Sequence, residues 1–321
     1  MARRRSPRPR AAAPPSLRSR WPNGPVPTSL STVELTTDNA DPDGVLVLLD
    51  GVESSHLDLA DPRRLMFEYM QQMLATLEES LPGGNGASGI RALHLGAAGC
   101  ALARAVEATW PESRQLAVEV DALLAQYVRD WFDLPRSPRL RIRIADARHV
   151  TEAARADSYD TVIRDAFASR AVPEHLRTVE FTREVARALT PAGIYLANTA
   201  DHPPLPLARR EAATVARVFA HTAVIAEPGV LKGRRYGNVV LVGSQEPLPL
   251  AHLDRRVRTL PAPASLVHGA VLESFIGTSR PFVDPAAEEE GGTTVVPGAT
   301  TATTAEGDPA SVVGPAVDRS S

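Results

Sequence analysis

Residues 90–100 read Ile-Arg-Ala-Leu-His-Leu-Gly-Ala-Ala-Gly-Cys. An apolar run over Ile90–Leu95 ends in a turn of small residues, and Cys100–Thr109 continues at helical spacing. A strand that passes into a helix through glycine and alanine opens a β-α crossover unit. Such a turn lets a ligand approach the backbone at the helix N-terminus, and it also serves plain helix-on-strand packing. It lacks the Gly-Lys-Ser/Thr ending of a phosphate-binding loop, which argues against a triphosphate ligand.

The alternation continues outward. Strands are expected at Gln115–Val120, Leu140–Ile144, Tyr159–Arg164, Gly193–Asn198, Ala223–Glu227 and Gly237–Gly243. Helices are expected at Ala122–Trp131, near His149–Arg155, within Pro173–Leu189 and at Pro206–Phe219. Strands separated by helices imply right-handed crossovers and a mainly parallel sheet. The last two strands are close enough in sequence to be antiparallel. The fold class expected is therefore α/β: a doubly wound, Rossmann-like sheet of methyltransferase type with an antiparallel terminal hairpin. Upstream, Thr32–Thr36 and Val45–Asp50 flank the turn formers Asp-Asn-Ala-Asp-Pro-Asp-Gly and predict a small N-terminal β-hairpin within residues 31–60. Asp61-Pro62 predicts a helix start, with Leu65, Met66, Tyr69, Met70, Met73, Leu74 and Leu77 on one face.

The α/β domain is expected over 61–284, with a small C-terminal appendage from about Asp254. Residues 1–30 are rich in Arg, Pro, Ala and Ser, and 285–321 are of low complexity. Both are expected to be disordered tails, because neither can bury enough apolar area to offset its ordering entropy. The net charge of −3 argues against nucleic acid or an anionic membrane as partner. The Arg-rich start is followed by no apolar segment, and no apolar run is long enough for a transmembrane helix. Cys100 is the only cysteine, so no internal disulfide forms, and a cytoplasmic location is expected.

Ligands of doubly wound sheets bind beyond the carboxyl ends of the strands, so the residues there are the candidates. Gly96 lies in the first such loop. The second strand ends Val118-Glu119-Val120-Asp121. Glu119 sits inside an apolar run, where an unpaired carboxylate is costly, and is placed to accept from both ribose hydroxyls of a nucleoside. Asp121 reads as a helix cap. After the third strand Asp146 can accept from an adenine amino group or cap a helix. After the fourth, Asp165 faces the reacting end, where it can act as a base. Acids after three successive strands argue for an adenosyl ligand. The histidines show no metal-ligand spacing, so no metal is expected. No Gly-x-Ser-x-Gly elbow is present. Cys100 reads as a packing residue, and Lys232-Gly233-Arg234-Arg235 as a solvated turn.

The segments Leu49-Asp50-Gly51-Val52, Phe67-Glu68-Tyr69, HLGAAG, VEVD, ADAR and RDAF occur in an order that resembles the spermidine synthases, in particular the spermidine synthase-like proteins of actinobacteria. The resemblance covers about Val45 to Ser244. It implies an aminopropyl transfer from decarboxylated S-adenosylmethionine to an amine, with Gly96 lining the cofactor loop, Glu119 holding ribose, Asp146 holding adenine and Asp165 as the base. It also implies a small amine as partner and a homo-oligomer. Three departures stand against the family pattern. The loop is GAAGC in place of GGGxG, Ala168 stands where a second Asp grips the distal ammonium, and Ser54 stands where a Gln helps to hold the cofactor. An S-adenosylmethionine-dependent methyltransferase and a non-catalytic adenosyl-binding relative are the alternatives.

Overall fold

The computed structural model describes residues 17–38, 41–81, 89–168 and 171–285. Its first four strands are β1 (Val26–Pro27), β2 (Thr32–Asp38), β3 (Asp41–Leu49) and β4 (Val52–Asp58), paired antiparallel in chain order. The expected hairpin is thus the middle of a larger sheet. Asp50 and Gly51 take φ of 50° and 74°, so the chain reverses at an Asp-Gly turn and adds β4 where the apolar run stops.

Helix α1 (Glu68–Ser80) starts later than Asp61-Pro62 suggests. The carboxylate of Asp58 accepts the amides of Ala60 and Asp61 (2.9 and 2.7 Å) and pairs with Arg64 (2.7 Å). Asp61 itself accepts the Arg63 amide at 3.0 Å. These local bonds hold the segment in turns and outcompete a first helical turn.

The alternation then follows as β5 (Arg91–Leu95), α2 (Ala101–Thr109), β6 (Arg114–Glu119), α3 (Ala122–Phe132), β7 (Leu140–Ile144), α4 (Ala147–Glu152) and β8 (Tyr159–Arg164). It continues as α5 (Val179–Ala188), β9 (Leu189–Asp201), α6 (Pro206–Ala216), β10 (His221–Ala226), α7 (Pro228–Leu231), β11 (Gly237–Ser244), α8 (Leu250–Arg258), β12 (Ser265–His268) and α9 (Gly269–Ile276). The order across the sheet is β12-β10-β11-β9-β8-β5-β6-β7. The run from β9 to β7 is parallel, and β11, β10 and β12 pair antiparallel. This is the doubly wound α/β sheet, and the terminal hairpin is antiparallel as expected. No helix among the described residues is long and apolar enough to cross a membrane.

Strand periodicity splits the core into two layers. Ile194, Leu196, Val240 and Val242 face α1, α2, α3 and α8, while Tyr195, Ala197, Val239 and Leu241 face α4, α5, α6 and α9. The C-terminal segment is not an appendage. Strand β12 extends the main sheet by pairing with β10, and Leu272 and Phe275 of α9 enter the second core layer. Its short length hides this in the sequence, because a four-residue strand carries too few alternations to be read.

Part of the N-terminal segment expected to be a disordered tail has defined structure, from Leu17 onward. Trp21 donates to the Trp131 carbonyl at 3.2 Å and packs edge-on against Phe132. Thr28, Ser29 and Leu30 all donate to the carboxylate of Asp121. One aromatic anchor and one multiply bonded carboxylate, with the pairing of β1 on β2, hold a segment poor in apolar residues. The rest of that tail, 1–16, and residues 286–321 lie outside the described residues.

Beneath the end of β8, Arg164 (1% exposed) forms an ion pair with Glu211 of α6 (3% exposed). Removing one partner of a buried pair leaves an uncompensated charge. Glu211→Gln is therefore expected to lower unfolding stability by about 3 kcal/mol or more, measured by urea denaturation.

Candidate active site

The carboxyl ends of β5, β6, β7 and β8 lie side by side, and each carries one of the residues singled out in the sequence. Gly96 follows β5 with φ of 94°, and its amide bonds to the Val118 carbonyl at 3.0 Å. A Cβ there would stand 2.3 Å from the Asp165 carbonyl oxygen. Glycine is thus demanded twice, by the backbone conformation and by the close approach of the loop after β8. Ala98 and Cys100 also take positive φ, of 38° and 59°, which turns the loop into α2.

Glu119, at the end of β6, is half-buried. One carboxylate oxygen accepts the amides of Ala97 and Ala98 (3.2 and 3.1 Å), and the other accepts the amide of Asp121 (3.0 Å). The carboxylate therefore closes the β5 loop onto β6. Asp121 is the cap of α3 that its position suggests, accepting the Leu124 amide at 2.9 Å. Asp146 caps α4 through the His149 amide (3.0 Å), and its other oxygen meets Nε2 of His175 at 2.9 Å. Burial alone would raise its pKa, but the His149 amide and the His175 ring more than offset this, and its pKa lies below the ordinary aspartate value.

Asp165 follows β8 and is gripped from two sides. The Tyr69 hydroxyl of α1 donates to one oxygen at 2.9 Å, and the Asn198 amide of β9 donates to the other at 3.0 Å. Burial raises its pKa above 3.8, and these two bonds with the charge of Arg164 work against the rise. Burial and the adjacent carboxylate push the Tyr69 hydroxyl well above 10.0, so it stays a donor. The result is a carboxylate with a raised pKa and fixed oxygens, which suits proton abstraction at the mouth of the sheet.

The strand ends thus bring Gly96, Glu119, Asp146 and Asp165 to one rim. Tyr69 and Asn198 complete the surroundings of Asp165. Asn198 is a polar residue at the end of the apolar run Ile194–Ala197, the same signal that marks Glu119. Tyr69 carries no such signal, since its spacing is that of an ordinary core residue on α1.

The positions that depart from the pattern also have places. Gly99 packs so closely under β4 that a Cβ would lie 2.7 Å from Leu57 and 2.8 Å from the Ser55 hydroxyl. Ser54 donates to the Val52 carbonyl at 2.9 Å. Ala168 is exposed and is bonded through its backbone to Ala171. Cys100 is buried, and burial pushes its thiol up to about 12, which makes it unreactive at neutral pH. Among the described residues no group of three His, Cys, Asp or Glu side chains could hold a metal ion. A cavity of about 750 Å³ opens beside the start of β7 and the end of α3, where Arg129, Arg136 and Arg141 line it; none of the four rim residues does.

The chain is similar over most of its length to a probable spermidine synthase from Corynebacterium glutamicum ATCC 13032, known from a crystal structure. The two are 38% identical and superpose with a TM-score of 0.77, over 82% of this chain and 97% of that one. The chain belongs to the spermidine synthase family. A polyamine aminopropyltransferase of Vibrio vulnificus (strain CMCP6) is 32% identical over 139 residues, 43% of this chain and 44% of that protein. The chain thus spans under half the length of this curated relative. A spermidine synthase crystallised with the transition-state analogue AdoDATO shares the fold, with a TM-score of 0.53 at 18% identity over 74% of this chain and 78% of that one. No family model matches the chain. The GAAGC loop fits its place through the close packing of Gly99 under β4.

Two outcomes are expected. Gly96→Ala loses roughly 2 kcal/mol of stability or more, read by urea unfolding, because the β8 loop must withdraw. Tyr69→Phe removes a bond that favours the Asp165 carboxylate, so the acid limb of the pH–rate profile moves to higher pH. A limb unmoved in Tyr69→Phe would refute that coupling.

Proposed function

We propose that the protein is an aminopropyltransferase that uses decarboxylated S-adenosylmethionine and a small amine. The observation that carries this reading is the Asp165 carboxylate, held by Tyr69 and Asn198 at 2.9 and 3.0 Å beside the loop that begins at Gly96. Membership of the spermidine synthase family supports it over methyl transfer or a purely binding role.

In this reading Glu119 takes the ribose hydroxyls and Asp146 the adenine amino group, and no metal takes part. The sulfonium activates the carbon next to it. The amine nitrogen attacks that carbon, the carbon–sulfur bond breaks, and 5′-methylthioadenosine leaves. Asp165 takes the proton that the amine gives up. A base must be ionised to act, so activity falls as pH falls through the raised pKa of Asp165, and the acid limb lies above 3.8. Tyr69 and Asn198 keep both oxygens in place, which leaves the attacking amine to find a lone pair already oriented.

The acceptor side supports a less demanding amine than a diamine. Ala168 offers no carboxylate, and a distal ammonium left without one forgoes a charge-assisted hydrogen bond worth about 1.5–3 kcal/mol. The single, buried cysteine and the charge balance fit a cytoplasmic enzyme.

Incubation with decarboxylated S-adenosylmethionine and a panel of monoamines and diamines is expected to release 5′-methylthioadenosine, and Asp165→Asn to slow release by about a hundredfold. Absence of release with every amine would sink the reading. Formation of S-adenosylhomocysteine from S-adenosylmethionine would replace it with methyl transfer.

A further inference from the structure

His175 lies in the connection between β8 and α5, in a single 3-10 turn over Glu174–Leu176. Its Nε2 meets the outer oxygen of Asp146 at 2.9 Å, while the inner oxygen is taken by the His149 amide. Both side chains are close to half exposed, at 45% and 49%. An exposed carboxylate tied at one oxygen alone keeps some torsional freedom, and a second tie removes it. The ring N–H occupies one lone pair of the outer oxygen and leaves another for a ligand.

The turn that carries His175 is itself braced. Arg148 of α4 donates to the His175 carbonyl at 3.2 Å. The same guanidinium is held by Glu152 (2.7 Å) and Asp284 (2.8 Å). Asp284 in turn donates its amide to Glu180 of α5 at 2.9 Å. Phe282 is fixed two residues earlier. It accepts the Val179 amide at 2.9 Å, donates to the Thr214 hydroxyl at 2.9 Å, and the guanidinium groups of Arg177 and Arg210 both lie against its ring. Residues 282–284 therefore tie α4, α5 and α6 together, and through Arg148 they brace the His175 turn.

We propose that His175 is a positioning residue for purine recognition: it orients the Asp146 carboxylate toward the exocyclic amino group of an adenine ring. The proposal rests on the reading of Asp146 as the adenine acceptor. Its consequence is a specificity effect confined to the base. A ligand with a 6-amino group donates to the oriented carboxylate and gains from the orientation. A 6-oxo ligand has no donor there and gains nothing. The bond of His175 is to Asp146, while Asp165 is bonded by Tyr69 and Asn198, so the chemical step is untouched once the site is filled.

The test uses the full-length protein and two thioether nucleosides, 5′-methylthioadenosine and 5′-methylthioinosine, with affinities measured by calorimetry or competitive inhibition. His175→Phe is expected to weaken the adenine ligand about tenfold and leave the hypoxanthine ligand within about twofold, with kcat at saturation within about twofold. His175→Gln, which restores an N–H donor, is expected to recover the adenine ligand to within about threefold. Equal weakening of both ligands would assign His175 a merely structural role and overturn the proposal, as would an adenine affinity unchanged in His175→Phe. Failure of the unsubstituted protein to bind 5′-methylthioadenosine would remove the adenosyl reading itself, and this proposal with it.

Discussion

The Cα of Gly96 and the carbonyl of Asp165 meet so closely that no side chain fits between them. That contact sets the depth of the rim. It draws the loop after β5 against the loop after β8, the two central parallel strands, and leaves Glu119 to close the same loop from the β6 side through the amides of Ala97 and Ala98. A larger residue at 96 would force one loop outward and separate the acid on β6 from the acid on β8. The requirement is steric and conformational together, because φ of 94° is open to glycine and strained for other residues.

Under the rim the structure tolerates an expensive arrangement. Arg164 and Glu211 are buried as a pair between β8 and α6. Such a pair is weak evidence for stability, since desolvating two charges consumes most of the attraction between them. Its position next to Asp165 gives it another consequence: after the bonds from Asn198 and Tyr69, the guanidinium also opposes the rise that burial imposes on the Asp165 pKa. Asp165 sits at the mouth of an apolar sheet, with Tyr69 and Asn198 fixing the direction of its lone pairs. The N-terminal sheet serves the same rim from above. Ser55 and Leu57 of β4 fill the space over Gly99, and residues 28–30 tie down Asp121, whose amide holds Glu119.

Much of this was legible in the chain. The doubly wound sheet could be read because each parallel strand is a short apolar run followed by a turn and a helical repeat. The acids could be read because they stand where those runs end. Less visible were features with no period. Strand β4 depends on an Asp-Gly turn, β12 has four residues, and the order of residues 17–31 depends on Trp21 and on a single carboxylate far along the chain. The delayed start of α1 follows from Asp58 collecting nearby amides, a competition that a helical pattern does not record.

By itself the sequence determined the α/β class, the strand alternation and the identity of the carboxylates at the strand ends, because these follow from local periodicity and from the rule that ligands meet the carboxyl edge of a parallel sheet. Only the tertiary structure decided which neighbours give those carboxylates their chemistry. Tyr69 reaches Asp165 from α1, Asn198 reaches it from β9, and His175 reaches Asp146 from the connection after β8. The reason is physical. A carboxylate's pKa and orientation are set by groups within hydrogen-bond distance, and the groups that achieve this here are brought together by the packing of elements distant in the chain.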